Sequence, residues 1–175
     1  MKRIYINEGH APNGVPDPGA VNKYWNVREC DIALSVGQMV ANMLEGAGYE
    51  VRTCQNDSLD YIVEDANNWD ADYFISIHCN SAYTDQARGS EVYCYSFIGE
   101  GARLAQCIQN RLVGRLGMIN RGVKEANYYV LRHTEMPAVL VEMGFINNSE
   151  DCSMLVNRTE DFAEAIFQGI IRYLE

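Results

Sequence analysis

Apolar positions along the chain follow two rhythms. Short β-branched and aromatic runs alternate with longer stretches in which apolar residues recur every three or four positions. The clearest run is Tyr73-Phe74-Ile75-Ser76-Ile77, which predicts a buried strand that breaks off in His78, Cys79 and Asn80. Lys2 to Glu8 is a second such run and delivers Gly9-His10. Pro137-Ala138-Val139-Leu140-Val141 is a third and runs into Glu142, Met143 and Gly144. Tyr49 to Cys54, Gly89 to Tyr95 and Tyr128 to Arg132 read as three more strands.

Between them lie helical patterns. The first starts at Asn26 or a neighbour and runs to about Glu45, with Ile32, Val36, Met39, Val40 and Met43 on one face and Gly46 and Gly48 as the stop. Ser58 caps a second that ends near Asn68. Gly101 to Leu116 carries Leu104, Cys107, Ile108, Arg111 and Leu112 at helical spacing. A short helix near Asp151 and a longer one from about Glu160 to Leu174 close the chain. Strands alternating with helices predict an α/β fold: a single domain over 1–175, with a mostly parallel twisted sheet of about six strands and helices on both faces. The last two strands lie close enough in sequence for an antiparallel edge pair.

Composition narrows the function. At 175 residues, 47% of them hydrophobic, the chain is long enough to bury a core without staples. Its formal net charge of −10 argues against a nucleic-acid groove or an anionic membrane surface. No apolar run reaches the length of a membrane span. Met1-Lys2-Arg3 leads directly into a strand without the apolar core of a secretory signal, so the expectation is synthesis in the cytoplasm without a signal peptide. The six cysteines (30, 54, 79, 94, 107 and 152) are scattered, form no CxxC pair and read as buried free thiols rather than a disulfide framework.

Three strands that end in metal- or proton-handling side chains point to a hydrolytic zinc site. His10, Glu29 and His78 are the candidate ligands, because catalytic zinc takes three nitrogen or carboxylate ligands and leaves one position open. The loop Ala11 to Ala20, rich in proline and glycine, would form one wall. The plainer reading makes each histidine an ordinary core or surface group, and Glu29 a partner of the helix dipole. Glu142 closes an apolar strand, so its carboxyl would be desolvated and suited to act as general base and then acid. The alternative is a structural carboxylate held by backbone amides. Cys79 beside His78 raises a cysteine nucleophile, but strand neighbours point to opposite faces, which weakens that reading. His133 fits a further nitrogen ligand, a substrate contact or a merely exposed residue.

Taken together, the segments resemble the zinc-dependent N-acetylmuramoyl-L-alanine amidases of bacterial autolysins and phage endolysins. The resemblance spans nearly the whole chain. It rests on Gly9-His10 with Asp17-Pro18-Gly19-Ala20, on Glu29, on Ala66-Asn67 followed by Ala71 to Asn80, on Gly89-Ser90-Glu91-Val92-Tyr93, and on Pro137 to Phe145. It implies a Zn²⁺ held by His10, Glu29 and His78, with Glu142 as the catalytic glutamate. It further implies peptidoglycan as substrate, cleaved between N-acetylmuramic acid and L-alanine, and a monomeric catalytic domain that acts on the bacterial cell wall and in many members is joined to a wall-binding module. Three departures stand out: Asn7 where the family has aspartate, Ala11 and Pro12 where it often has two glycines, and Val63 and Glu64 in the region of a usual arginine. They bear on metal affinity and substrate contacts more than on the reaction. The rival classes are another zinc amide hydrolase, such as a peptidase or deacetylase, and a non-catalytic wall-binding relative.

Overall fold

The structure is a computed structural model describing residues 1–175. Strand β1 (Arg3–Glu8) leads through a 3-10 turn at Pro12–Gly14 into a small hairpin, β2 (Val21–Asn22) and β3 (Val27–Arg28). Then follow α1 (Glu29–Gly46), β4 (Glu50–Gln55), α2 (Leu59–Asn68), β5 (Tyr73–Asn80), β6 (Ser90–Cys94), α3 (Glu100–Leu116) and β7 (Asn120–Glu125). The chain closes with α4 (Tyr129–His133), β8 (Ala138–Phe145), α5 (Ser149–Asn157) and α6 (Thr159–Leu174). The main sheet has six strands in the order β4-β1-β5-β8-β6-β7. β4, β1, β5 and β8 are mutually parallel, β6 runs antiparallel to β8, and β7 is parallel to β6.

Strand alternation sorts the side chains into two layers. Ile4, Ile6, Ile75, Ile77, Cys79, Val139, Val141 and Met143 face the larger core, packed by Val36, Val40 and Leu44 of α1, by α3 and α6, and by Cys152 and Leu155 of α5. Tyr5, Phe74, Ala138 and Leu140 face the other way, against Ile62, Val63 and Ala66 of α2 and Val130 and Leu131 of α4. This second cover is short. It leaves the carboxyl ends of β1, β5 and β8 open on that face, where α/β sheets place their ligands.

The predicted architecture holds, with four local corrections. Tyr128 to Arg132 is not a strand: Tyr129–His133 is helical. Val130 and Leu131 are neighbours and both buried in the smaller core, a pairing that one turn of helix permits and a strand would split between faces. The sixth strand is instead β7, whose polar sequence Asn-Arg-Gly-Val-Lys-Glu suits a charged sheet edge and hides the apolar alternation. α1 starts at Glu29 rather than near Asn26, which sits with positive φ in the β2–β3 hairpin. Finally, the face α1 buries is rotated. Ala33, Gly37 and Ala41 join Val36, Val40 and Leu44 against the core, while Ile32, Met39 and Met43 are only partly buried. All six cysteines are free; Cys30, Cys79, Cys94 and Cys152 are buried as expected, whereas Cys54 and Cys107 are only half-buried.

Candidate metal centre and active site

β1 ends one residue before Gly9, and His10 follows with φ 69°, a left-handed turn that swings its ring back over the sheet. β5 presents His78 on the face of the smaller core, and Glu29 opens α1. His10 Nε2 lies 3.0 Å from Glu29 Oε2, and His78 Nδ1 lies 2.9 Å from Glu29 Oε1. One ligand atom from each of the three falls within 4.8 Å of the others. Glu29 is buried, and backbone N–H groups brace it: Ala20 donates to Oε2 at 2.8 Å and Cys79 to Oε1 at 3.0 Å. The close packing depends on glycine. A Cβ on Gly9 would lie 2.5 Å from the His78 ring, and one on Gly19 would lie 2.4 Å from the His10 ring.

The electrostatics follow from this arrangement. Burial disfavours the Glu29 anion, but the hydrogen bonds and charges of His10 and His78 outweigh it and hold the carboxyl down at about 2. Burial likewise opposes the His10 cation, yet Glu29 and Asp17 together raise its pKa to about 9. Asp17 Oδ2 sits 2.7 Å from His10 Nδ1, leaving Nε2 for the centre. A carboxylate behind a ligating imidazole orients the ring and raises its basicity. Two imidazole nitrogens and one carboxylate oxygen, converging from rigid elements with this support, are a donor set that can hold a metal ion, and their chemistry fits hydrolytic zinc.

Glu142 lines the same cleft, a cavity of ≈ 430 Å³ whose walls also include Asn7, Ser76, Leu59, Tyr128 and Tyr129. Its Oε2 is shielded from solvent and has no hydrogen-bond partner. Burial, reinforced by the charges of Glu29 and Glu91 and opposed by His10, pushes its pKa well above the carboxylate range. This does not match a structural carboxylate satisfied by amides. His78 and Glu142 are register partners across β5 and β8, so the fold places them side by side.

Other sequence candidates separate from this cluster. Cys79 is buried on the opposite face, its thiol pushed well up by desolvation, and cannot reach the cleft as a nucleophile. His133 is exposed on α4, stacked on Tyr129 at 4.2 Å between ring centres, and is no ligand. Asn7 bonds Ser76 Oγ and the Cys54 carbonyl rather than a histidine. Asn67 ties α2 to the end of α4 by donating to the His133 carbonyl and accepting from the Glu135 N–H. Sequence reasoning alone did not single out Asp17 as the His10 partner. Its signal was the Asp17-Pro18-Gly19 turn, in which the Gly19 N–H binds Asp17 Oδ1 and aims the second oxygen outward.

The family profile described as N-acetylmuramoyl-L-alanine amidase matches residues 4–172. The chain belongs to that family. It is 38% identical to protein YqiI of Bacillus subtilis, over 99% of this chain and 85% of that protein. It is 36% identical to the N-acetylmuramoyl-L-alanine amidase LytC of the same organism, over 97% of this chain and 35% of LytC. The amidase AmiC2 of Nostoc punctiforme superposes with a TM-score of 0.90 at 34% identity, covering 99% of this chain and 97% of that one. The amidase is thus a peptidoglycan hydrolase of the bacterial cell wall. No helix is long and apolar enough to cross a membrane.

Proposed function

We propose that the amidase works as a zinc enzyme in which His10, Glu29 and His78 hold one Zn²⁺ and Glu142 moves the proton. The observation that carries this is the convergence of three ligand atoms within 4.8 Å, beside a cleft carboxyl with a shielded, partnerless oxygen. When bound, the ion supplies Lewis-acid polarisation of the scissile lactyl carbonyl and of a water. The remaining steps belong to the chain. Asp17 fixes the His10 ring, and the Ala20 and Cys79 N–H groups fix Glu29. Glu142, its carboxyl desolvated in the cleft and its pKa raised by burial, accepts the proton of the attacking water and returns it to the departing L-alanine amine. The cleft between α2 and α4 receives the muramyl peptide. Residues 1–175 act as one catalytic unit, a monomer on the cell wall, with attachment supplied by a separate wall-binding module.

The test compares wild type with Glu142→Gln at matched zinc occupancy on purified peptidoglycan, reading new L-alanine amines. The amide keeps the shape but cannot take a proton, so turnover should fall by about 10²–10⁴-fold while zinc content holds. A folded, zinc-loaded variant within about threefold of wild type would remove Glu142 from the mechanism. New amines from any residue other than L-alanine would favour a peptidase.

A further inference from the structure

Beyond Glu142 the sheet carries a second polar cluster that the hydrolytic step does not use. Glu91 of β6 is the register partner of Glu142 across the antiparallel β6/β8 pair, so their side chains share the open face of the sheet. Its side chain is 3% exposed and heavily bonded. Asn80 Nδ2 donates to Oε1 at 2.7 Å, Tyr93 Oη to Oε1 at 2.8 Å, and Arg121 Nε to Oε2 at 2.8 Å; Lys124 Nζ also donates to Oε2. One buried anion therefore faces two cations, and the trio carries one net positive charge in a chain whose total is −10.

The backbone is shaped to make this pairing. In a regular strand, residues three apart point to opposite faces. Arg121 and Lys124 are three apart, yet both reach Glu91. The β6/β7 register shifts between Ser90 and Val92, and Gly122 within that bulge has φ 83°. The bulge re-aims Arg121 onto the face that Lys124 already occupies. The Arg121 guanidinium lies 4.8 Å from the centre of the Phe145 ring, which fixes its plane.

Both cations keep capacity for a ligand. Arg121 uses only Nε on protein, so its two terminal nitrogens make no bond, and Lys124 spends one of three donors. Their side chains are 33% and 37% exposed. β7 stands two strands from β8, about 10 Å at the usual strand spacing. The second residue of an extended peptide lies within about 7 Å of the first bond, so a stem peptide cleaved beside Glu142 brings that residue toward the pair. An arginine fork beside a lysine is suited to a carboxylate and poorly suited to a neutral amide.

We propose that Arg121 and Lys124 form a subsite that reads the free α-carboxylate of an acidic second residue of the stem peptide, and that it discriminates against the amidated form. This rests on the amidase reading and deepens it. Glu91 is the positioning residue that gathers the two cations, and Gly122 lets the strand do so.

The experiment uses two muramyl tetrapeptides that differ only in whether the second residue carries a free carboxylate or its primary amide. Wild type should show a kcat/KM ratio of acid to amide of about tenfold or more, the effect of one charge-assisted contact. Lys124→Gln should move that ratio toward one, chiefly by raising KM for the acid, and Arg121→Gln should do the same. Calorimetric binding of the two released tetrapeptides repeats the comparison without turnover. A wild-type ratio near one in both measurements overturns the subsite, as does a variant that weakens acid and amide in parallel. If wild type cleaves neither substrate, the amidase reading itself fails, and the binding ratio alone still decides whether the subsite exists.

Discussion

Glu8 is a carboxyl held far from ordinary solvation. It lies at the end of β1, 1% exposed, with neither carboxyl oxygen hydrogen bonded. Burial lifts its pKa from the usual 4.5 to about 7. Because the folded state binds this proton more tightly than the unfolded chain, stability is highest below about pH 4.5 as far as this group is concerned. It declines as pH rises toward 7 and then levels. At about 1.4 kcal/mol per pH unit the change is about 3 kcal/mol. Glu8→Gln keeps the shape and removes the titration. In metal-free protein, the stability difference between variant and wild type should therefore shift by about 3 kcal/mol in the variant's favour from pH 4.5 to pH 8. Urea unfolding at the two pH values measures it, and a pH-independent difference would show that folding does not raise the Glu8 pKa. Asp17 and Glu142 mark the contrast at this scale. Both line the cleft, yet Asp17 is partnered and exposed while Glu142 Oε2 is shielded and without a partner.

Among the elements, α3 and α6 pack closely in the larger core. Gly169 of α6 sits against the backbone of α3, where an added Cβ would lie 2.5 Å from Ile108 Cα. Backbone cannot swing aside as a side-chain tip can, so Gly169→Ala should force the helices apart and cost about 1–3 kcal/mol, against the small gain in helix propensity. Thermal melting of the variant checks this, and an unchanged or raised midpoint would mean the helices are not so closely seated. The same scale explains the elements that pattern alone misassigned. Tyr128 to Leu131 is a run of four apolar or aromatic residues, and so short a run fits either a strand or one helical turn. Its packing against Ile62 and Ala66 of α2 decides for the helix. β7 failed in the opposite sense: a strand at a sheet edge buries little, so Asn120 to Glu125 has no apolar alternation to read.

For the whole molecule, a zinc ion held as proposed would also act as a staple, since His10, Glu29 and His78 come from β1's end, α1 and β5. Zinc at a hundred times its dissociation constant should add about 2.7 kcal/mol to folding. Chelation should then lower the melting temperature by about 5–10 °C for a chain of this size. His78→Ala should abolish that difference, and a variant that keeps it would place the stabilising ion elsewhere. The α/β class and the order of most elements were legible in the linear chain, and His10, Glu29, His78 and Glu142 could be picked out there as candidates that the fold brings to one cleft. Strand ends and buried runs are local features, and a polar residue closing an apolar run stands out without any contact being known. What the linear chain left open was whether those residues meet, which oxygen backs which imidazole, and where Arg121 and Lys124 point. Such questions turn on strand order, register and a single bulge. These are relations between segments far apart in sequence, and only packing the sheet against its helices decides them.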